Sequence, residues 1–175
     1  MRLPILAAIL AGGFAACGSP ALRPVKTDVP TAPSPAPDFA LQDLSSATVR
    51  LSDFRGRTVL LDFWATWCEP CKQSIPRYVK MQDKLRSKGF VVVGVDEDES
   101  PEIVRAYARD HRMNYDVLLD PHTGLFEKYG GRSLPSAFLI DAQGNVRGRW
   151  GGFAAATGLD VEHATDALLG AAPVE

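Results

Sequence analysis

With 175 residues, 46% of them hydrophobic and 23% charged, the chain has the composition of a soluble globular protein with one domain and one sizeable core. Its formal net charge of -2 excludes the strongly basic balance that points to a nucleic-acid partner. No internal period implies a solenoid.

The first segment, "MRLPILAAILAGGFAAC", has one positive charge at Arg2, a short apolar core and small residues leading to Cys17. This pattern predicts an export signal over residues 1–16. Its apolar stretch is shorter than the roughly 20 residues that span a bilayer. Phe14-Ala15-Ala16-Cys17 resembles the lipobox of bacterial lipoproteins, with Phe14 in place of the usual leucine. The resemblance implies a lipidated Cys17 anchoring the protein to the membrane on the periplasmic side of a bacterial envelope. The alternative is a soluble exported protein cut nearby, for example after Ala21. Residues 17–36 are rich in Pro, Ala, Ser and Thr without a hydrophobic period, so a disordered tether is expected there, ahead of a domain over 37–175. With Cys17 lipidated or lost, Cys68 and Cys71 are the remaining thiols, in a compartment where disulfides persist.

Alternation in "FALQDL" and "TVRL", joined at Ser45-Ser46, predicts an N-terminal β-hairpin, followed by a turn at Arg55-Gly56-Arg57. "TVLLDFWA" (58–65) is a nearly continuous apolar run, the signature of a strand buried on both faces. After Pro70 the spacing becomes helical, with Cys71, Ile75, Tyr78, Val79 and Leu85 on the inward face. Pro70 suits the first helical position, where a missing N–H costs nothing. "FVVVGVD" (90–96) predicts a second buried strand, and a helix from about Ser100 should turn Ile103, Val104, Tyr107 and Ala108 inward. A short strand (116–120), a short helix (124–130), a hairpin (136–152) and a last helix over about 159–169 complete an α/β fold with helices covering a mixed sheet.

Two cysteines therefore lie where a buried strand meets a helix. There the first sulfur faces backbone N–H groups without intrahelical partners and the positive end of the helix dipole, which favours its thiolate. Cys68 is the expected nucleophile; Cys71, a turn inside the helix, is expected to attack the mixed disulfide. Lowering a thiol pKa from about 8.5 to about 7 enlarges the thiolate fraction roughly 15-fold at pH 7, and reduced nucleophilicity takes back about 5-fold. Holding Cys71 ready outweighs that gain of about threefold. Asp62 lies on the strand entering the motif. Buried without a cation, it would have a raised pKa and could accept the Cys71 proton; paired with Lys72 or Lys88, it would be structural. Glu69, between the cysteines, opposes a thiolate at Cys68, which favours the disulfide and a reducing potential, nearer roughly -270 mV than -120 mV.

"LLDFWATWCEPC" resembles the thioredoxin motif, with Asp62 matching its buried aspartate, Pro76 its mid-helix proline and Pro135 its cis-proline. From Pro37 to about Leu169 the chain is similar to the TlpA/ResA group of exported thiol-disulfide oxidoreductases: "APDFAL", "LSDFRGRTVLLDFW", "WCEPC", "GVDEDES", "LPSAFLID" and an insertion between residues 100 and 125. The resemblance implies a thioredoxin-like fold with an N-terminal β-hairpin and a central insertion. Its cofactor would be the redox-active Cys68–Cys71 disulfide alone. The implied partners are disulfide-containing exported proteins, apocytochrome c among the candidates, and a membrane electron donor; a monomer and no nucleic acid are expected. Many of these reductases carry a glutamate three residues after the second cysteine, where this chain has Ser74, which sets the cytochrome-specific role apart from the dithiol chemistry. Glu99 matches a further acidic position of the group, although a run such as "DEDE" also reads as a solvated loop.

A cis bond at Pro135 would set Leu134 and Pro135 against the Cys68 sulfur, where the Leu134 backbone could pair with an extended substrate; a trans proline opening a strand is the plainer reading. Trp67 is expected to be a contact surface beside the motif and Trp64 core; Trp150 is unassigned. His111, His122 and His163 lack zinc-ligand spacing with the cysteines. Covalent haem would need histidine where Lys72 stands. A peroxiredoxin-like enzyme shares the "PDFAL" opening but needs a threonine where Ala65 stands. Oxidase or isomerase activity, a Cu(I)-binding chaperone on the same fold, and a static disulfide in a binding module remain as alternatives.

Overall fold

The structure, a computed structural model, describes residues 27–28, 33–98, 100–152 and 155–170. Cys17, the signal segment and Glu99 lie outside the described residues. The strands are β1 (Thr27–Asp28), β2 (Ser34–Pro35), β3 (Ala40–Asp43), β4 (Thr48–Arg50), β5 (Thr58–Trp64), β6 (Phe90–Asp96), β7 (Asp116–Leu119), β8 (Ser136–Ile140) and β9 (Asn145–Gly151). The helices are α1 (Cys71–Leu85), α2 (Pro101–Asp110), α3 (Gly124–Lys128) and α4 (Ala155–Gly170).

The strands form one sheet in the order β1-β9-β8-β5-β6-β7-β3-β4, with β2 also on β9. β5, β6 and β7 run parallel; β8 and β9 on one side, and β3 and β4 on the other, run antiparallel. Every residue of β5 and β6 is buried, as continuous apolar runs require when both faces are covered. Alternation along β5 then separates two cores. Phe63, Leu61 and Val59 join Tyr129 and Phe138 on the α3 face. Leu60 and Trp64 face the other way, where α1, α2 and α4 supply Tyr78, Ile75, Val104 and Val161. Trp150, unassigned from sequence, is buried in this second core.

The fold departs from the sequence reading in four places. The segment expected to be an unstructured tether contributes β1 and β2 to the open side of β9. An extended, proline-rich backbone suits an edge, where Pro35 need not donate. In α1, Ser74, Met81 and Gln82 are buried while Val79 is only half-buried, and Gln82 accepts the Val92 N–H at 2.8 Å, so a polar residue on the inward face is satisfied by the sheet. Ile103 is 55% exposed, while Val104 and Ala108 are buried and the half-buried Tyr107 packs on Trp64 as expected, its ring 5.3 Å away. Finally, α4 starts at Ala155 because its buried face includes Thr157 and Thr165, which an apolar count overlooks; the Thr165 hydroxyl closes on the Val161 carbonyl at 2.8 Å.

The insertion between residues 100 and 125 is integral to this sheet: α2 covers the second core, and β7 bridges β6 to the N-terminal hairpin β3-β4.

Candidate active site

The carboxyl ends of β5 and β6 lie side by side, Trp64 opposite Asp96. Beyond Trp64 the chain turns through residues 65–70 into α1, with Pro70 already in helical conformation (φ -63°, ψ -28°). Cys68 and Cys71 are joined by a disulfide, S–S 2.01 Å. The Cys71 N–H is shared between the Cys68 carbonyl at 3.1 Å and Cys68 Sγ at 3.3 Å, so a donor at the helix start reaches the first sulfur. Cys68 is 4% exposed and Cys71 0%, whereas the neighbouring Trp67 is 68% exposed. Trp67 is thus an apolar surface beside the disulfide, and Trp64 is core.

Asp62 is fully buried on the face that β5 turns toward α1, and neither carboxylate oxygen has a hydrogen-bond partner. Its register neighbours are Gly94 and Ala137, small residues on either side. A Cβ at Gly94 would meet Trp64 Nε1 at 2.9 Å, so glycine is what lets the Trp64 indole lie across β6 beside Asp62. Burial alone pushes the Asp62 carboxyl well above the usual carboxylate range. Its charge adds to burial in raising the phenols of Tyr78 and Tyr115. An ion pair between Asp62 and Lys72 or Lys88 does not form: Lys72 is held by Glu69 at 2.8 Å, which raises the Lys72 pKa.

That same pair corrects the sequence reading of Glu69, whose charge is offset by Lys72 one helical turn along and does not stand alone against Cys68. Ser74, which occupies the position of the group's glutamate, is buried and donates to the Cys71 carbonyl at 3.0 Å, so it closes on its own helix. Pro76 is accommodated within α1.

The Leu134–Pro135 peptide bond is cis and Pro135 is buried. Leu134 packs against both the core containing Cys68 and Cys71 and the core containing Tyr129 and Phe138.

The acidic run after β6 is not a solvated loop. Asp96 is fully buried, both Glu97 oxygens are buried without partners, and Asp98 accepts the Thr66 N–H at 2.7 Å and its hydroxyl at 3.2 Å. The Glu97 N–H donates to the Trp64 carbonyl at 3.0 Å. The run begins inside a strand covered on both faces, which is why its charges are buried. Burial pushes Asp96 up to about 8, with the charges of Asp98 and Glu97 adding and the Asp98 N–H opposing. Burial also pushes Glu97 up to about 8, with the charge of Asp120 adding. Sequence reasoning missed these groups; the signal available was that "DEDE" starts within the β-rich run and not after it. Among the described residues, these carboxylates do not converge as metal ligands.

Comparison with known proteins places this geometry. The AhpC/TSA family profile matches residues 33–149. A thiol-disulfide oxidoreductase ResA from Bacillus thuringiensis is 34% identical over 111 residues, 63% of this chain and 64% of the relative; the match thus spans less than two thirds of that protein. A solved structure assigned as the thiol:disulfide interchange protein DsbE, from Chlorobium tepidum, is 38% identical and superposes with a TM-score of 0.75 over 78% of this chain and 96% of the other. The exposed lipoprotein thioredoxin of Streptococcus pneumoniae is 29% identical with a TM-score of 0.64, covering 74% and 99%. The fold is thioredoxin-like, and the match over residues 33–149 shows that the chain belongs to the AhpC/TSA family.

Proposed function

We propose that the protein is a thiol-disulfide oxidoreductase of the ResA/DsbE type, exported, tethered to the membrane through Cys17, and working as a reductase of disulfides in other exported proteins. The observation that carries this reading is the Cys68 sulfur at the start of α1, receiving the Cys71 N–H and bonded to Cys71. The reduced form attacks through the Cys68 thiolate: an S–S bond forms between Cys68 and one substrate sulfur, and the other substrate sulfur leaves and takes a proton. Cys71 gives its proton to Asp62 and attacks Cys68 Sγ, the bond from Cys68 to the substrate breaks, and the second substrate sulfur leaves as a thiolate that takes up the proton held by Asp62. Two electrons pass from the dithiol to the substrate with the Cys71 proton, and solvent returns the proton that Cys68 released in forming its thiolate. The unpartnered, buried carboxyl of Asp62 supports its role as acceptor.

The reducing direction rests on how little favours the Cys68 thiolate. Glu69 and Lys72 largely cancel, leaving the N–H groups of the helix start. A weakly stabilised thiolate favours the disulfide, which makes the dithiol a reductant. A membrane electron donor would regenerate it. The Phe14-Ala15-Ala16-Cys17 signature supports the anchor, and a lipoprotein of the same fold is among the solved neighbours. No helix among the described residues is long and apolar enough to cross a membrane.

Glutathione equilibration tests the direction: a potential near -270 mV is expected, and one near -120 mV makes the protein an oxidase. Insulin reduction by the dithiol form tests the activity itself. Membrane fractionation of wild type against Cys17→Ser tests the anchor; equal release of both proteins refutes it.

A further inference from the structure

Beside Leu134–Pro135, on the face away from α1, lies a cleft of about 350 Å³. Its floor is aromatic, from Tyr129 and Phe138, and its rim includes Arg132, Ser133, Ser136 and Arg149. Ser133 and Ser136 bracket Leu134–Pro135, and the Ser136 hydroxyl donates to the Ser133 carbonyl at 2.8 Å, which closes this bend on itself. Leu134 is therefore the wall shared by the disulfide's core and the cleft's core. A substrate chain that presents a sulfur to Cys68 and runs past Leu134 is directed toward the cleft, whose lining flanks Leu134 on both sides.

Both arginines are exposed, and among the described residues neither forms an ion pair. The Arg149 guanidinium lies over the Phe138 ring, 5.7 Å from its centroid, so it is held near the aromatic floor. Asp28 stands opposite Arg149 in the strand register, while Arg132 is in the loop ahead of β8 with no strand partner. Among the other exposed arginines, Arg105, Arg109 and Arg147 are paired with Glu102, Asp110 and Asp141, whereas Arg50, Arg55, Arg86 and Arg112 form no ion pair among the described residues; what sets Arg132 and Arg149 apart is that both line one cleft. Two unmatched guanidiniums over an aromatic floor form a site complementary to a carboxylate on a short side chain, whose methylenes would lie on the rings.

We propose that this cleft is the recognition subsite for an acidic side chain of the substrate polypeptide, one or two residues from its half-cystine. The inference rests on the oxidoreductase reading and names its substrate class: disulfides in acidic sequence. Arg132 and Arg149 are specificity-determining residues here, acting on binding and not on electron transfer.

The test uses the dithiol protein and two disulfide-linked peptides that differ only in Glu or Lys two residues from the half-cystine. The wild type should reduce the Glu peptide about tenfold faster in kcat/KM, the scale of one charge-assisted hydrogen bond, with the difference in KM. Arg132→Gln combined with Arg149→Gln should bring the ratio near one, and Arg132→Lys should keep part of it. Raising the salt to about 0.5 M with unaltered protein should compress the ratio without any substitution, since the charges lie at the surface. A wild-type ratio of one, or a ratio that survives the double substitution, overturns the subsite. Failure to reduce either peptide overturns the oxidoreductase reading instead, so the two outcomes are separate.

Discussion

Two strand-to-helix junctions stand next to each other at the carboxyl end of the sheet, and they are built on opposite plans. The first, from β5 to α1, carries the disulfide, and its own side-chain bonds stay within the helix start, from Lys72 to Glu69 and from Ser74 to the Cys71 carbonyl, while Asp62 on β5 has no partner. The second, from β6 to α2, is crowded with acids, and one of them, Asp98, holds the first junction by gripping the backbone and hydroxyl of Thr66. Both contain buried carboxyls shifted upward by burial, yet only Asp62 lies on the strand that leads into the cysteines. A raised carboxyl pKa thus marks burial at both junctions. We propose the acceptor role for Asp62 because it lies on the β5 face turned toward α1, which begins at Cys71.

The most damaging change to the first junction is at its sulfurs. Cys68→Ser should reduce insulin turnover to background, and Cys71→Ser should accumulate a mixed disulfide on Cys68. Limiting iodoacetamide should label Cys68 first in the reduced protein, and labelling at Cys71 first would reverse the roles.

Asp62→Asn should come next. Resolution of the mixed disulfide should slow by about 10²-fold at pH 7, and the deficit should shrink as the pH approaches the ordinary thiol range near 8.5. Stability should move the other way. Because the folded-state pKa of Asp62 is raised, its contribution is complete below the ordinary carboxylate range and is lost as pH climbs through the folded value. The variant's gain should therefore grow from about pH 4 upward. A gain in stability with an unchanged resolution rate would make Asp62 structural.

The link between the junctions is broken by Asp98→Ala. Losing both bonds to Thr66 should cost about 1–3 kcal/mol in urea unfolding and slow the reduction of insulin less than Asp62→Asn does. Glu97→Gln sharpens the contrast. Its stabilising effect should appear as pH rises from about 4.5 toward about 8, since a raised folded pKa loses its contribution over that window, while insulin reduction at pH 7 changes little. A large loss of activity would place Glu97 in the redox chemistry. The smallest effect belongs to Glu69→Gln, an exposed residue paired with Lys72, which should shift the potential by less than about 20 mV by glutathione equilibration.

Local chemistry and local period were sufficient for much of this protein. Unbroken apolar runs at β5 and β6 mean strands with two covered faces, and a proline at position 70 followed by helical spacing sets the two cysteines at a helix start; the resemblance to a known motif added the roles of Asp62 and Pro135. What chain-local reasoning misassigned depends on which distant element covers a residue. Ile103 has the right spacing on α2 yet faces solvent, because Val104, Tyr107 and Ala108 meet the core at Trp64 and fill that contact. Asp96 is buried and Glu97 and Asp98 are half-buried because the end of β6 lies between β5 and β7, and a charge run carries no mark of what will be packed on it. The tether's short strands exist because β9 offers an open edge. The cleft of Arg132 and Arg149 joins a loop to a strand 17 positions later in the sequence, brought together by the pairing of β8 with β9. Sequence by itself determined the central strands, the helix start and the Cys68–Cys71 spacing, since those follow from neighbours in the chain. Only the tertiary structure decided which charges are matched, buried or left free, because an electrostatic partner is a matter of distance in space.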